Sequence, residues 1–150
     1  MNAEAVRAML AEDRAEWQAL VAVLDAHPDG PLHDPESPEW TARDVYTHLA
    51  RWINHSTEAF ESWLASRTLP PPAEGMEGND DEINARWQAE DSGLTLAEAR
   101  ERAQHAFERR IRAIESVPPD RWDPILDATA HADDAHHYRA HRSYVTVSVP

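Results

Sequence analysis

The sequence contains no cysteine and no lysine, and only four of its 150 residues are glycine. Without cysteine there is no disulfide, thiolate ligand or cysteine nucleophile, so any thiol chemistry needs a thiol from outside the chain. Without lysine there is no P-loop lysine, Schiff base or Ser-x-x-Lys site. So few glycines leave no glycine-rich phosphate loop and no G-x-S-x-G turn. Histidine, which occurs nine times, is therefore the main candidate for chemistry.

Long apolar runs and positive charge are also scarce. No stretch approaches the roughly 18 apolar residues of a membrane span, and the N-terminus lacks the basic and apolar regions of a signal peptide. We therefore expect a cytoplasmic protein without a membrane partner. The formal net charge is −14, and all fourteen basic residues are arginines. Because such a charge repels phosphate backbones, we expect no nucleic acid partner.

A chain of 150 residues predicts a single domain, spanning 1–150, and its apolar residues recur three and four positions apart. Asn2 is a plausible N-cap for the first helix. Thr41 with Asp44 and Thr95 with Glu98 are capping-box pairs that predict two further helix starts. We predict four main helices, at about 2–27, 41–64, 95–116 and 132–144.

The connections between these helices are long. LPPPAEGMEGNDD predicts an exposed loop before a short helix at about 81–89, and VPPDRWDP is predicted to end the third main helix. The alternating tail YVTVSVP is too short to fold alone, so we expect an extended end or a frayed turn. The pattern predicts an all-α fold, namely a four-helix bundle with long inter-helix connections.

The stretch DDAHHYRAH packs three histidines into six positions. His137 and His141 are four apart, so on a helix they share one face and can present ring nitrogens to one cation. His136 points about 100° away from His137. Nine histidines give about 0.5 such pairs by chance, so the spacing also suits a solvent-exposed cluster.

His48 favours the metal interpretation because it lies on the apolar stripe of the second helix. A polar group that faces a core needs a partner. Asp44, one turn earlier, is one candidate, and a metal ion shared with His137 and His141 is the other. His55, seven residues after His48, is a rival third ligand. Three neutral histidines with open coordination positions suit zinc, nickel or iron.

Other polar and aromatic residues have simpler interpretations. Asp133 and Asp134 lie about one turn before His137 and are candidates to orient its ring, although acids also favour a helix N-terminus. The six tryptophans are expected mainly in the core or at the ends of the bundle. The arginines of ERRIRAI are expected on a solvated face.

Two stretches carry a family resemblance. SPEWTARDVYTHLARW is similar to the second-helix signature of the DinB/YfiT-like superfamily, and HYRAHRSYV is similar to its last-helix His-x-x-x-His. Within the superfamily, NDDEINARWQAEDSGLTLAEARERAQHAFE and the His-Tyr pair look most like the ClbS-like branch. The chain also resembles the N-terminal domains of mycothiol-dependent maleylpyruvate isomerases.

The resemblance implies a four-helix bundle, often a homodimer, with one divalent ion held by three histidines between the second and last helices. By position these are His48, His137 and His141. It further implies a small-molecule substrate, together with either an external low-molecular-weight thiol or a hydrolytic reaction.

We therefore expect a metal-dependent transferase or hydrolase that acts on a small electrophile, with zinc or nickel favoured over iron. The expected pocket residues are Trp52, Asn84, Trp87 and Tyr144. No side chain beyond the proposed ligands stands out as a general acid, base or nucleophile. The competing hypothesis is therefore a non-catalytic helical bundle that binds a small molecule or dimerises.

Overall fold

The computed structural model describes residues 1–28, 32 and 40–144, the last of them by its backbone alone. In these ranges the chain forms α-helices, one short 3₁₀ turn and no strand, which confirms the prediction of an all-α protein. The helices are α1 (Ala3–Ala26), α2 (Ala42–Ser66), α3 (Asp80–Glu90), α4 (Leu96–Glu115), α5 (Pro124–Ala130) and α6 (Ala135–Tyr144). The tail at 145–150, predicted to be extended or frayed, lies outside the described residues.

Side-chain caps determine where the long helices begin. The Asn2 side chain accepts a backbone hydrogen bond in the first turn of α1. Thr41 with Asp44 at α2, and Thr95 with Glu98 at α4, form reciprocal capping boxes. Each cap satisfies an N–H group that has no partner within its own helix. The three predicted helix starts are confirmed.

Helix α5 is missing from the prediction, which treated VPPDRWDP only as the end of a helix. Asp123 caps α5 by accepting hydrogen bonds from the N–H groups of Ile125 and Leu126, at 3.0 and 2.9 Å. Pro124 occupies the first helical position, where a missing N–H is harmless. The Asp-Pro pair is therefore a helix start signal here.

Helix α2 lies at the centre of the packing, against α3, α4 and α5, while α1 packs mainly on α6. Near the start of α2, Arg43 donates to the Ser92 carbonyl at 2.7 Å, and near its end the Leu64 carbonyl accepts from Arg121 at 2.8 Å. Residues before α4 thus meet the start of α2, and residues after α4 meet its end. The two helices run in the same direction, and α3 lies on the returning stretch of chain.

A three-ring cluster joins α1, α4 and α6. The Trp17 ring stacks on Phe107 with centroids 4.7 Å apart, and Tyr138 packs edge-on against both, at 5.2 and 5.9 Å. Aromatic pairs at these separations add packing energy beyond the area that they bury. The cluster fixes the position of α6, which carries the histidine pair.

A buried ion pair also joins these three helices. Asp13 of α1 and Arg110 of α4 are 0% and 2% exposed, with Arg110 Nη2 2.7 Å from Asp13 Oδ2. The other oxygen, Oδ1, accepts from the Ala135 N–H at the start of α6, at 2.9 Å. The expectation of a solvated arginine face is wrong for Arg110, because this position shares the buried face of α4 with Phe107 and Ile114.

Candidate metal centre

Three histidine rings from two helices converge at one point. Nε2 of His137 lies 3.2 Å from Nε2 of His48 and 3.0 Å from Nε2 of His141. One ligand nitrogen from each ring can be chosen so that all three lie within 4.8 Å of one another. Nitrogens that bind one tetrahedral ion at about 2.1 Å stand about 3.4 Å apart. In the described part of the chain, no other group of three His, Asp or Glu side chains has this spacing.

The helices explain the convergence. His137 and His141 stand one turn apart on α6, so their rings lie on one face. His48 reaches them from α2, where it lies between the buried residues Val45 and Leu49. The sequence separation of 89 residues between His48 and His137 is closed by the packing of the helices, not by local structure.

The contacts among the three rings all involve one atom, Nε2 of His137. The Nδ1 atom of His137 lies 2.9 Å from Asp133 Oδ1, and because a carboxylate accepts, we assign the ring proton to Nδ1. This leaves one lone pair on Nε2 of His137, facing both other Nε2 atoms. A cation between the rings would accept all three lone pairs, so these residues fit a metal ion.

The environment keeps the rings of His48 and His141 neutral. Burial lowers the pKa of His48 well below its ordinary value of 6.5, the neighbouring His141 and His137 lower it further, and the Asn84 side chain partly opposes them. Burial, and then the proximity of His137, lower the pKa of His141 to about 3. Neutral imidazole is the form that binds metals, so both rings are ready to ligate at pH 7.

The two neighbouring aspartates have different partners. Asp133 contacts His137, the arrangement by which a carboxylate fixes the tautomer and orientation of a metal-binding ring. Asp134 instead contacts Nδ1 of His131 and Nδ1 of His136, both at 3.0 Å. Hydrogen bonds from these two rings and from the His136 N–H outweigh burial and lower the pKa of the Asp134 carboxyl. Only Asp133 therefore has the contact that would orient His137.

The histidine cluster forms part of the wall of a cavity of about 670 Å³, hereafter the histidine cavity. Helices α2, α3, α5 and α6 contribute to it, and Trp40 precedes α2. The Trp40 ring lies 5.0 Å from the His48 ring. The Trp52 indole N–H donates to Asn84 Oδ1 at 2.6 Å, so its ring is held across the cavity wall. The volume suits a small organic molecule.

Asp44 and His55, which the sequence offered as alternative partners, do not join the three-ring group. The Asp44 carboxylate accepts hydrogen bonds from Thr41 and Arg43, so it is not the hydrogen-bond partner expected for His48. His55 lines the histidine cavity but is exposed and stands outside the three-ring group.

The remaining two pocket predictions have different outcomes. Trp87 packs behind Trp52, with centroids 4.9 Å apart, and lines a neighbouring cavity. The side chain of Tyr144 lies outside the described residues.

Eight cavity residues are absent from the prediction, namely Trp40, Ser56, Ala59, Asp80, Asp81, Thr129, Ala132 and Ala140. Trp40 stands before a helix, so helical periodicity assigns it no face. Asp80 and Asp81 read as ordinary first-turn acids of α3. Thr129 lies on the unpredicted α5.

One known protein family matches the chain over most of its length. A family model described as the mycothiol maleylpyruvate isomerase N-terminal domain matches residues 10–144. The chain belongs to this family. The family lies within the DinB/YfiT-like superfamily, so that resemblance is confirmed, while the likeness to the ClbS-like branch stays a prediction. No curated protein and no solved structure gives a significant match.

The match has two consequences for the site. It spans all three converging histidines, so the cluster belongs to the matched domain. The family name also relates the domain to a thiol and to a small metabolite. Within the described ranges, no helix has the length and apolar character needed to cross a bilayer.

Proposed function

We propose that the chain is a metal-dependent enzyme in which His48, His137 and His141 hold one divalent ion, zinc or nickel, with iron as the less favoured choice. The observation that carries the proposal is the convergence of three ring nitrogens within 4.8 Å at the wall of a cavity. Three protein nitrogens leave coordination positions open, as catalytic sites do and structural zinc sites do not.

The proposed reaction is thiol transfer to a small electrophile, or its hydrolysis. A bound divalent ion would supply a nucleophile at neutral pH, from an external low-molecular-weight thiol or from water. The absence of cysteine suits the thiol version, because no internal thiol competes for the metal. The family name supports it independently.

The chain's own residues would bind the substrate and orient the metal ligands. Asp133 holds the His137 ring through a 2.9 Å hydrogen bond. Trp40 and Trp52 offer apolar surface against the body of a substrate. The carbonyl oxygen of Asn84 accepts from Trp52, at 2.6 Å, and its amide group is a candidate to donate to a polar group of a substrate.

The wider arrangement that we propose is the four-helix bundle expected from the sequence, formed by α1, α2, α4 and α6. The α2 with α4 packing, the α1 with α6 packing, and the Trp17, Phe107 and Tyr138 cluster support it. A homodimer, a cytoplasmic location and the exclusion of nucleic acid stay predictions from resemblance, composition and charge.

Metal content tests the proposal directly. Elemental mass spectrometry of tag-free protein, reconstituted with zinc or nickel, is expected to give about one equivalent per chain. His48→Ala, His137→Ala and His141→Ala are each expected to lose it. His136→Ala and His55→Ala are matched controls that keep it, because the side chain of His136 is 77% exposed and His55 stands outside the cluster.

The rival is a non-catalytic bundle, and metal content followed by a turnover assay separates the two. Full metal content in all three cluster variants would rule out the site. Where metal binds, epoxides, cyclopropanes and activated thiol acceptors are the substrates to screen, with and without added thiols. Turnover that a chelator abolishes would exclude the non-catalytic hypothesis.

A further inference from the structure

The charges around the histidine cavity are of one sign. Its charged lining residues are Asp80, Asp81 and Asp133, and no arginine lines it within the described part of the chain. Residues 29–31, 33–39 and 145–150, which lie outside that part, contain no arginine or lysine in the sequence. Among the residues that the structure describes, the only source of positive charge for a ligand there is a metal ion or a histidine ring.

Arginines that are close in sequence to cavity residues bond to groups that do not line the cavity. Arg51, next to Trp52, makes two 2.8 Å hydrogen bonds to Asp91. Arg86, two residues after Asn84, donates to the Glu77 carbonyl. On α6, two arginines flank His141 and both bond carboxylates of α1, Arg139 to Glu12 and Glu16 and Arg142 to Glu16.

The rest of the lining favours a cation. Trp40 and Trp52 present rings to the cavity, and tryptophan is the side chain whose face attracts cations most strongly. The indole N–H of Trp52 is already used by Asn84, which leaves its ring as the contact surface. Asp80 and Asp81 are exposed in the first turn of α3. Ring faces and carboxylates together are what an alkylammonium group needs.

From this lining we propose that the histidine cavity takes a substrate that carries an alkylammonium group and disfavours carboxylates and phosphates. The inference rests on the proposed function only in placing the reacting group in this cavity. It departs from the family name, since maleylpyruvate is by its name a carboxylate, and a carboxylate substrate would meet acids instead of arginines here.

Three probes that share a benzyl group and differ in charge test the preference: benzyltrimethylammonium, benzyl alcohol and phenylmethanesulfonate. None contains a strong metal ligand. Binding is measured by calorimetry and tryptophan fluorescence, on zinc-loaded and on chelator-treated protein. A salt concentration of about 0.15 M, where the Debye length is about 8 Å, screens the distant surface charges. In chelator-treated protein we expect the cation to bind at least about tenfold tighter than the anion. In zinc-loaded protein we expect a smaller preference for the cation, because the metal ion repels it.

Two double variants with equal net charge separate the cavity from the global acidity of the chain. Asp80→Asn with Asp81→Asn is expected to reduce the cation-to-anion ratio several-fold. Glu4→Gln with Asp120→Asn is the matched control, because Glu4 is also a first-turn acid and both residues are exposed and do not line the cavity. The control is expected to keep the wild-type ratio.

The outcomes also separate this inference from the metal proposal. Anion binding as tight as cation binding, or an unchanged ratio in the Asp80 and Asp81 variant, would overturn the substrate class even if one equivalent of metal is bound. A clear cation preference in a chain that binds no metal would instead leave the substrate class standing and refute the metal enzyme.

Discussion

The two sides of α6 hold buried polar groups in two different arrangements. On the side that faces α1 and α4, both oxygens of Asp13 are used, by Arg110 at 2.7 Å and by the Ala135 N–H at 2.9 Å. On the side that faces α2, the Nε2 atoms of His48 and His141 both approach Nε2 of His137, at 3.2 and 3.0 Å. An ion pair that is complete within the chain holds the helix in place, whereas ring nitrogens that converge on one point suit a metal ion.

This difference gives the two sides separate roles. The Asp13 and Arg110 pair fixes the start of α6, and the helix then carries His137 and His141 to His48. Changes on the first side are expected to alter the free energy of unfolding, and changes on the second side to alter metal affinity. Three experiments test that division, in order of the effect expected.

The largest effect is expected from Asp13→Ala. The change leaves the guanidinium of Arg110 buried without its carboxylate, which costs about 3–5 kcal/mol in unfolding free energy. Urea unfolding measures the loss. Glu12 precedes Asp13 and is an exposed partner of Arg139. Glu12→Ala is expected to lower the unfolding free energy by at most about 1 kcal/mol. Similar losses for both variants would contradict the structural role assigned to the buried pair.

The next effect is a loss of metal affinity in Asp133→Asn. An amide holds the His137 ring less firmly than a carboxylate does, so affinity for zinc is expected to fall by about ten- to hundredfold, with a small change in unfolding free energy. Competition with a chromogenic chelator measures the affinity. Asp134→Asn is the control, because Asp134 bonds His131 and His136 instead. Equal losses of affinity in the two variants would show that the orienting role is misassigned.

The smallest effect is a pH dependence of the metal-free protein. The folded-state pKa of His141 lies at about 3, below the ordinary 6.5, so from pH 6.5 downward the unfolded chain takes up a proton that the folded chain does not. Stability is therefore retained above pH 6.5 and falls by up to about 1.4 kcal/mol per pH unit below it.

Urea midpoints between pH 7.5 and 5.5 measure this slope, above the range where most carboxylates titrate. His141→Gln is expected to reduce the slope without abolishing it, because burial also lowers the pKa of His48 and that ring keeps its own contribution. The exposed His105→Gln is expected to leave the slope unchanged. A wild-type slope in His141→Gln would assign the effect to other groups.

Sequence patterns predicted most of the helices because the signals are local. The caps at Asn2, Thr41 and Thr95 act within one turn, and the apolar period continues along each helix. The same logic fails at α5, where the pattern predicts a break at the proline although Asp123 and Pro124 are a normal helix start.

The three histidines were the candidates most accessible from sequence, since two share a helix face and the third lies on an apolar stripe. Their partners were harder to assign because they depend on side-chain direction. Asp133 and Asp134 are adjacent in sequence, yet only the carboxylate of Asp133 bonds the His137 ring. Asp13 and Arg110 each lie on an apolar face, but nothing in one sequence links positions that are 97 residues apart.

The distance along the chain between His48 and His137, 89 residues, bears on when the metal can be bound. Closing so long a loop in an unfolded chain has an entropic cost, which the packing of the helices offsets in the folded protein. A disordered chain would present only the pair on α6, with much weaker binding. Ion occupancy at this centre would therefore report the fraction of molecules that have folded.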